Sequence, residues 1–413
     1  MNLIADGENI YGNNIPWLYA LREKARGALA KYGFPTAKTE AWKYSYMPDE
    51  ILNEFEIDAT PHRCNGHCHE KEQLPFDCLQ MKFCNGNLEH IAHDLPRGVM
   101  VLPLVDALEN FEIKSYLNKS FSIGGFPFAD LNTALAEQGL FIVIGKEIAL
   151  QQPIYIHYYQ HNGAQKLNNI RNVIVVEKGA KATIIEDFGG DENARYFNNI
   201  VNEIYVGTQA FLQHYTRQNE SVEARHVALN SVEIKAEGQY HDFIVHNECA
   251  LARTESYVCL KQENASAEIN GVYRLKNSGH SDITSNIRHL AAHTFSNQLV
   301  KGVLDGKAHG VFQGQIHIAP DAQQTEGRQL HRALVLSDEA EVDCKPELEI
   351  FADDVKCSHG ATCGDLDAEQ LFYMQSRGIT LDNARQILIA AYLNEVFGKI
   401  EDTTIAEWLK SIF

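Results

Sequence analysis

VIVVEKGAKATIIED, Val173 to Asp187, sets the pattern of the chain: a β-branched run, a Glu-Lys-Gly-Ala corner, and a second β-branched run. Similar runs occur at Phe141–Ile144, Ile154–Tyr158, Ile200–Val206, Phe211–Tyr215, Val227–Ile234 and Tyr240–His246. They continue at Glu255–Leu260, Ile269–Leu275, Val311–Ile318 and Leu330–Leu336. Helical periodicity is absent from Leu140 to Gly364. So many strands without helices fit a sandwich, a barrel or a β-solenoid. The small corner residues Ala180, Ala210, Ala265, Ala308 and Ala340 are 30, 55, 43 and 32 residues apart. Such gaps fit a coil of loose period better than hairpins, whose Asn-Gly and Asp-Gly turns are sparse here.

Both flanks read as helical. Trp17 to Tyr32 has apolar residues at helical spacing and stops at Gly33. Pro48–Phe55, Leu102–Leu117 and Asp130–Glu137 read as further helices. Beyond the strands, Asp367 and Gln370 form a capping-box pair, and Thr380 caps a second helix that ends at Gly398. The expected units are residues 1–139, 140–364 and 365–413. The apolar face of the C-terminal helices can either cover the end of the strand stack or receive a partner.

The charge balance is acidic: 36 Lys+Arg against 55 Asp+Glu, a net −19 over 413 residues. That argues against nucleic acid and against anionic membrane as default partners. The N-terminus lacks a basic segment followed by an apolar one, and the longest apolar run, Ile387–Leu393, is too short to span a bilayer. A cytoplasmic protein is expected. Nine cysteines, an odd and dispersed set, do not read as a disulfide framework. No P-loop, GxGxxG, HExxH or GxSxG motif is present.

Three places carry metal-binding chemistry. In Asp353–Gly364, DDVKCSHGATCG, strand alternation puts Cys357 and His359 on one side, ~6.5–7 Å apart. Thiolate and imidazole suit zinc or iron, although a buried cysteine beside a hydrogen-bonded histidine has the same pattern. Cys64, His67, Cys68 and His69, with His62 nearby, resemble half of a zinc site. The other half is missing, since Cys78 and Cys84 are irregularly placed, so a solvated loop is the better reading. His157/His161 and His289/His293 have i, i+4 spacing, but in strand and turn they read as core or turn histidines.

Four stretches carry a family resemblance. They are CKPELEIFADDVKCSHGATCGDLDAEQLFYMQSRGI (Cys344–Ile379), KTEAWKYSYM (Lys38–Met47), HTFSNQLVKGVL (with Ser296, Gln298, Lys301 and Gly302) and GVFQGQIHIAPDAQQTEG. Together the chain resembles the SufB/SufD family of iron–sulfur cluster assembly scaffold components over nearly its whole length. The resemblance implies a right-handed parallel β-helix flanked by helical N- and C-terminal domains. It implies a non-catalytic subunit in complex with SufB and the ABC-type ATPase SufC, to which the absent P-loop belongs. The C-terminal helices, with Phe372, Tyr373, Ile387, Leu388, Leu393 and Phe397, would meet SufC. The solenoid flank near the C-terminus would meet SufB or, through the same edge, a second copy of the chain when isolated.

His359 is the residue the resemblance marks as functional, facing a transient iron or nascent cluster shared with SufB rather than a stably bound cofactor. Cys357 comes second; Cys363 and Cys344 are weaker. Two departures separate the chain from the SufB branch: His359-Gly360-Ala361-Thr362 replaces H-E-A-T, and Ala340 stands where SufB has its cluster cysteine. A homodimeric metal-binding or purely structural β-helix scaffold is the alternative. A secreted carbohydrate-active β-helix fits less well.

Overall fold

The run–corner–run pattern is one edge of a flattened coil. The computed structural model describes residues 10–56, 73–109, 112–135, 137–161 and 165–413. The coil is wound by β4 (Leu140–Ile144), β5 (Ile154–Gln160), β6 (Leu167–Val176), β7 (Lys181–Gly190), β8 (Phe197–Val206), β9 (Phe211–Asn219), β10 (Arg225–Ile234) and β11 (Gln239–His246). It continues through β12 (Leu251–Leu260), β13 (Ser266–Leu275), β14 (His280–His289), β15 (Phe295–Leu304), β16 (His309–Ile318), β17 (Thr325–Val335), β18 (Glu341–Ile350) and β19 (Val355–Gly364). Odd strands stack in one parallel sheet and even strands in the other. This is a parallel β-solenoid. Successive turns are offset by 26 residues at Arg225↔Leu251 and by 32 at His309↔Glu341.

The corner leading from the even sheet to the odd sheet shows the true period. It carries a left-handed residue at Gly179, Gln209, Glu237, Asn264, His293 and Gln324. The steps between them are 30, 28, 27, 29 and 31 residues. Ala308 and Ala340 belong to the opposite corner, so the irregular gaps of 55 and 43 came from mixing two edges and skipping turns. A polar residue followed by Gly or Thr does the same work as Gly-Ala at Glu237, His293 and Gln324, where it leaves little sequence signal.

Stacking in register makes continuous ladders. Ile174, Ile204, Val232, Val258, Ile287 and Ile316 lie one above another, each fully buried. Each contributes about 1.5–3 kcal/mol by leaving water. The interior also holds polar ladders: Asn172 Nδ2 donates to Asn202 Oδ1, and Asn202 Nδ2 to Asn230 Oδ1, both at 2.9 Å. Strands such as β14, HSDITSNIRH, are therefore buried without being apolar, which is why the hydrophobic pattern passed over β14 and β15.

Each sheet is covered on its outer face. Helices α1 (Pro16–Tyr32), α3 (Leu104–Leu108) and α4 (Pro127–Leu135) pack on the even sheet through Leu18, Leu29, Phe128 and Leu131. On the odd sheet, α6 (Leu381–Phe397) and α7 (Thr403–Lys410) cover Tyr155, Ile185, Tyr215, Phe243 and Leu299. The N-terminal region, expected to be mostly helical, also holds strands. It contributes β1 (Leu79–Cys84), β2 (Asn87–Ile91) and β3 (Val99–Pro103), and the expected helix at Leu102–Leu117 holds only the short α3 and a 3-10 turn. β1 extends the odd sheet with β2 antiparallel to it, and β3 runs antiparallel to β4, so the start of the coil is capped.

The family motifs fasten these layers. Ser45 Oγ donates to Asp282 Oδ2 at 2.6 Å, and the Arg253 guanidinium lies 4.1 Å from the Trp42 ring centre, tying Lys38–Met47 to the even sheet. The Lys301 ammonium, nearly excluded from solvent, donates to Tyr392 O at 2.8 Å and Glu395 Oε2 at 2.6 Å, tying α6 to β15. At Gly302 a Cβ would lie 2.0 Å from the Tyr273 ring. Gly302→Ala is therefore expected to lower stability by about 1–3 kcal/mol through overpacking, read as a lower urea midpoint.

Acid should destabilise the fold. Burial lowers His246 to about 3, His289 to about 3 and His331 to about 4. Unfolded imidazoles take their proton near pH 6.5, so between there and pH 4 the unfolded chain binds more protons. Stability then falls as pH drops through that window, by up to roughly 1.4 kcal/mol per unit per group. His214 opposes them: burial acts against its charge, but the hydrogen bond to Glu186 raises it. Burial lowers His241 and His280 as well, and it raises Asp130 and Asp242, which oppose them as His214 does. Five lowered imidazoles against three opposing groups predict a lower urea midpoint at pH 5 than at pH 7.

Candidate functional site

The coil ends differently from how it begins. β18 and β19 are the last strands of their sheets, and among the described residues neither has a strand beyond it. Their backbone edges and the inner face of the last turn are left open, an arrangement that invites pairing with another chain. The C-terminal helices, which could have covered this end, lie along the flank against β13 and β15 instead. Ile350 and Phe351, 40% and 61% exposed, sit at the rim.

Register decides which side chains face inward. Cys357 pairs with Gly327, where an added Cβ would lie 3.6 Å from Cys357 Sγ. Alternation then places Cys357, His359, Ala361 and Cys363 along the inner face of β19. On β18, Cys344 pairs with the fully buried Phe312, so Val342, Cys344, Pro346 and Leu348 face inward from the other sheet. The terminal turn therefore gathers His359 and three thiols on one open inner surface. The sequence places Cys363 and Cys344 below Cys357 as candidates, and they stand 19 residues apart. Folding puts them on facing halves of one turn, close enough that the Cys363 thiol adds to burial in pushing Cys344 up to about 12.

The floor beneath is firm. His359 pairs with Gln329, whose Nε2 donates to Glu347 O at 3.1 Å. His331, below Ala361, stacks on Phe312 at 5.1 Å between ring centres, with 2.9 Å between its Nε2 and Tyr273 OH. His359 itself is exposed. Burial raises Cys357, and a backbone hydrogen bond from Gly327 acts against it. The donors of this surface do not converge on one point. Among the described residues, the group with three His, Cys or carboxylate donor atoms within 4.8 Å of one another is His309, Glu341 and Asp343. The terminal surface offers ligands but not a closed cage.

The other sequence candidates separate. Cys64 and Cys68, with His62, His67 and His69, lie outside the described residues. His289 is buried, with Nδ1 2.8 Å from Thr294 Oγ1 and Nε2 2.8 Å from Ser296 Oγ, while His293 is a corner residue. His157 ends in a row of rings with Tyr155 and Tyr159. On the C-terminal helices, Phe372, Tyr373 and Ile387 are exposed and Leu388 is half-buried. Leu393 and Phe397 are not available for docking: both are buried against the chain's own sheet, Phe397 5.4 Å from the Phe243 ring. A cavity of about 970 Å³ at the capped end, lined by Cys78, Lys82, His90 and His93, is remote from His359. Among the described residues no helix is long and apolar enough to cross a membrane.

Comparison with known proteins agrees with this architecture. Residues 159–392 match the family model described as SUF system FeS cluster assembly, SufBD core domain. Residues 3–156 match that of the SufBD protein N-terminal region. The chain is 32% identical over 395 residues to an iron–sulfur cluster assembly SufBD family protein of Synechocystis, covering 92% of this chain and 86% of the relative. It is 30% identical over 386 residues to the iron–sulfur cluster assembly protein SufD of Escherichia coli, covering 91% and 87%. The Bacillus subtilis SufD is 23% identical over 306 residues. An open-ended solenoid with these matches along its length belongs to the SufBD family of iron–sulfur cluster assembly proteins.

Proposed function

We propose that the chain is a non-catalytic, SufD-like subunit of a cytoplasmic SufBCD-type complex, which forms a cluster site where its open end meets SufB. The observation that carries this reading is the terminal turn: His359 and three cysteines face inward on a surface that no strand covers among the described residues. Iron is the cargo there. His359 supplies imidazole, SufB supplies the remaining ligands, and the chain binds no resident cofactor. Cys357 is the second ligand candidate on this side. The same unpaired edges let two copies of the chain associate when SufB is absent.

SufC docks on the exposed side of the C-terminal helices, around Phe372, Tyr373 and Ile387. Helix α5 (Ala368–Ser376) buries none of its residues within the chain, although Asp367 caps it by accepting from the backbone N–H groups of Glu369 and Gln370. A helix held at its start but left uncovered is suited to a partner. ATP-driven dimerisation of SufC then pulls on α5 and α6. Lys301 passes that movement to β15 and on through β17 to β19.

Three outcomes test this. His359→Ala, an exposed substitution, should leave the fold and co-purification with SufB and SufC intact and abolish cluster assembly; undiminished complementation in cells would refute the role of His359. Phe372→Asp with Tyr373→Asp should reduce SufC capture with no change in urea midpoint, because both side chains are solvent-exposed. For Cys344, a thiol held protonated up to about 12 carries little thiolate at neutral pH. Iodoacetamide should therefore modify exposed Cys363 first, and the Cys344 rate should climb about tenfold per pH unit between pH 7 and 9. A flat profile at Cys344 would contradict its placement.

A further inference from the structure

The terminal turn also has an outer face, and it carries a different set of donors. In register, His280 of β14, His309 of β16 and Glu341 of β18 lie side by side, with Asp343 two residues along β18 on the same face. We propose that His309, Glu341 and Asp343 form a binding site for a first-row divalent cation of the Mn²⁺, Fe²⁺ or Zn²⁺ class. This does not rest on the reading of His359, which lies on the inner face.

The chemistry of the donors defines the ion. One imidazole and two carboxylates provide a nitrogen and oxygen set without thiolate, suited to manganese, ferrous iron or zinc rather than to copper(I). Two carboxylate charges balance a divalent ion. The three donor atoms lie within 4.8 Å of one another. An ion ~2.0–2.2 Å from each donor needs them slightly closer, a change within reach of side-chain rotation. His309 Nε2 is already 2.8 Å from Asp343 Oδ2. Glu341 is exposed, and both His309 and Asp343 have side chains 24% exposed, so an ion can enter from solvent.

The surroundings hold this set in place. The His280 ring meets the His309 ring edge-on, 4.6 Å between centres. Ser45 gives its one hydroxyl proton to Asp282, so His280 Nε2 must donate to Ser45 Oγ across their 2.9 Å contact. That fixes the orientation of the ring packed on His309, as outer partners do at metal sites. The next cation on this face, Lys345, is engaged by Glu40 at 2.8 Å and Glu347 at 3.2 Å, so it does not neutralise the triad. An ion here would tie β18, which has no strand beyond it, to β16, and so brace the open end.

Mn²⁺ is the discriminating probe, because it favours oxygen and nitrogen over the thiols on the inner face. Titration of the purified full chain, followed by loss of the free-ion EPR signal, should show one bound Mn²⁺. Asp343→Asn, nearly isosteric, and His309→Ala should each weaken binding by more than about tenfold, the lower range for losing even an outer partner. His359→Ala should bind like the unaltered chain. If His309→Ala fails to fold, Asp343→Asn alone decides. The proposal is overturned if the unaltered chain takes up no Mn²⁺, if Asp343→Asn binds equally well, or if His359→Ala weakens binding as much.

Discussion

Everything in this molecule depends on one constraint: parallel strands must stack in register, turn upon turn, about 30 residues apart. The hydrogen bonds of one turn are completed only by the next. The ladder from Ile174 to Ile316 and the amide chain from Asn172 to Asn230 are two consequences of the same register. So is the functional end. A stack of this kind has to terminate, and its last turn exposes backbone and interior alike. At its start the chain closes the stack with antiparallel strands; at its finish no strand of the described residues follows β18 or β19.

That asymmetry explains where chemistry-bearing residues collect. A thiol inside the stack, such as Cys249, is held protonated chiefly by burial. A thiol or imidazole on the last inner face still has the alignment of the stack, but also has solvent or a partner on one side. The same turn presents carboxylates and His309 outward. Two donor sets of different character thus sit back to back on one terminal turn, separated by the alternation of the strand.

The helical flanks divide their work between the sheets. Where helices cover them, both outer faces carry apolar clusters, the even one under N-terminal helices and the odd one under C-terminal helices. Lys301 and the Trp42–Arg253 contact show how family motifs that look functional in sequence can be fasteners. Their residues hold layers in the relation that the terminal turn requires. Leu393 and Phe397 teach the converse: apolar residues on a helix with a wide apolar face belong to the chain's own core, while Phe372, Tyr373, Leu381 and Ile387 remain exposed.

Local pattern is enough to read the class of fold and its limits: strand runs from Leu140 onward, helical flanks, Asp367 and Thr380 as caps, and Cys357 and His359 on one side of a strand. These are local properties, written in periodicity of two or in capping chemistry. It could not count the turns, because corners at Glu237, His293 and Gln324 satisfy the backbone without Gly-Ala, and buried strands such as β14 are polar. It takes the folded coil to bring Cys344 opposite Cys363 and His309 to Asp343, and to lay the C-terminal helices along the flank against β13 and β15. Each is a relation between residues about half a turn or more apart. Such relations follow from the register and path of the coil, which no local pattern specifies.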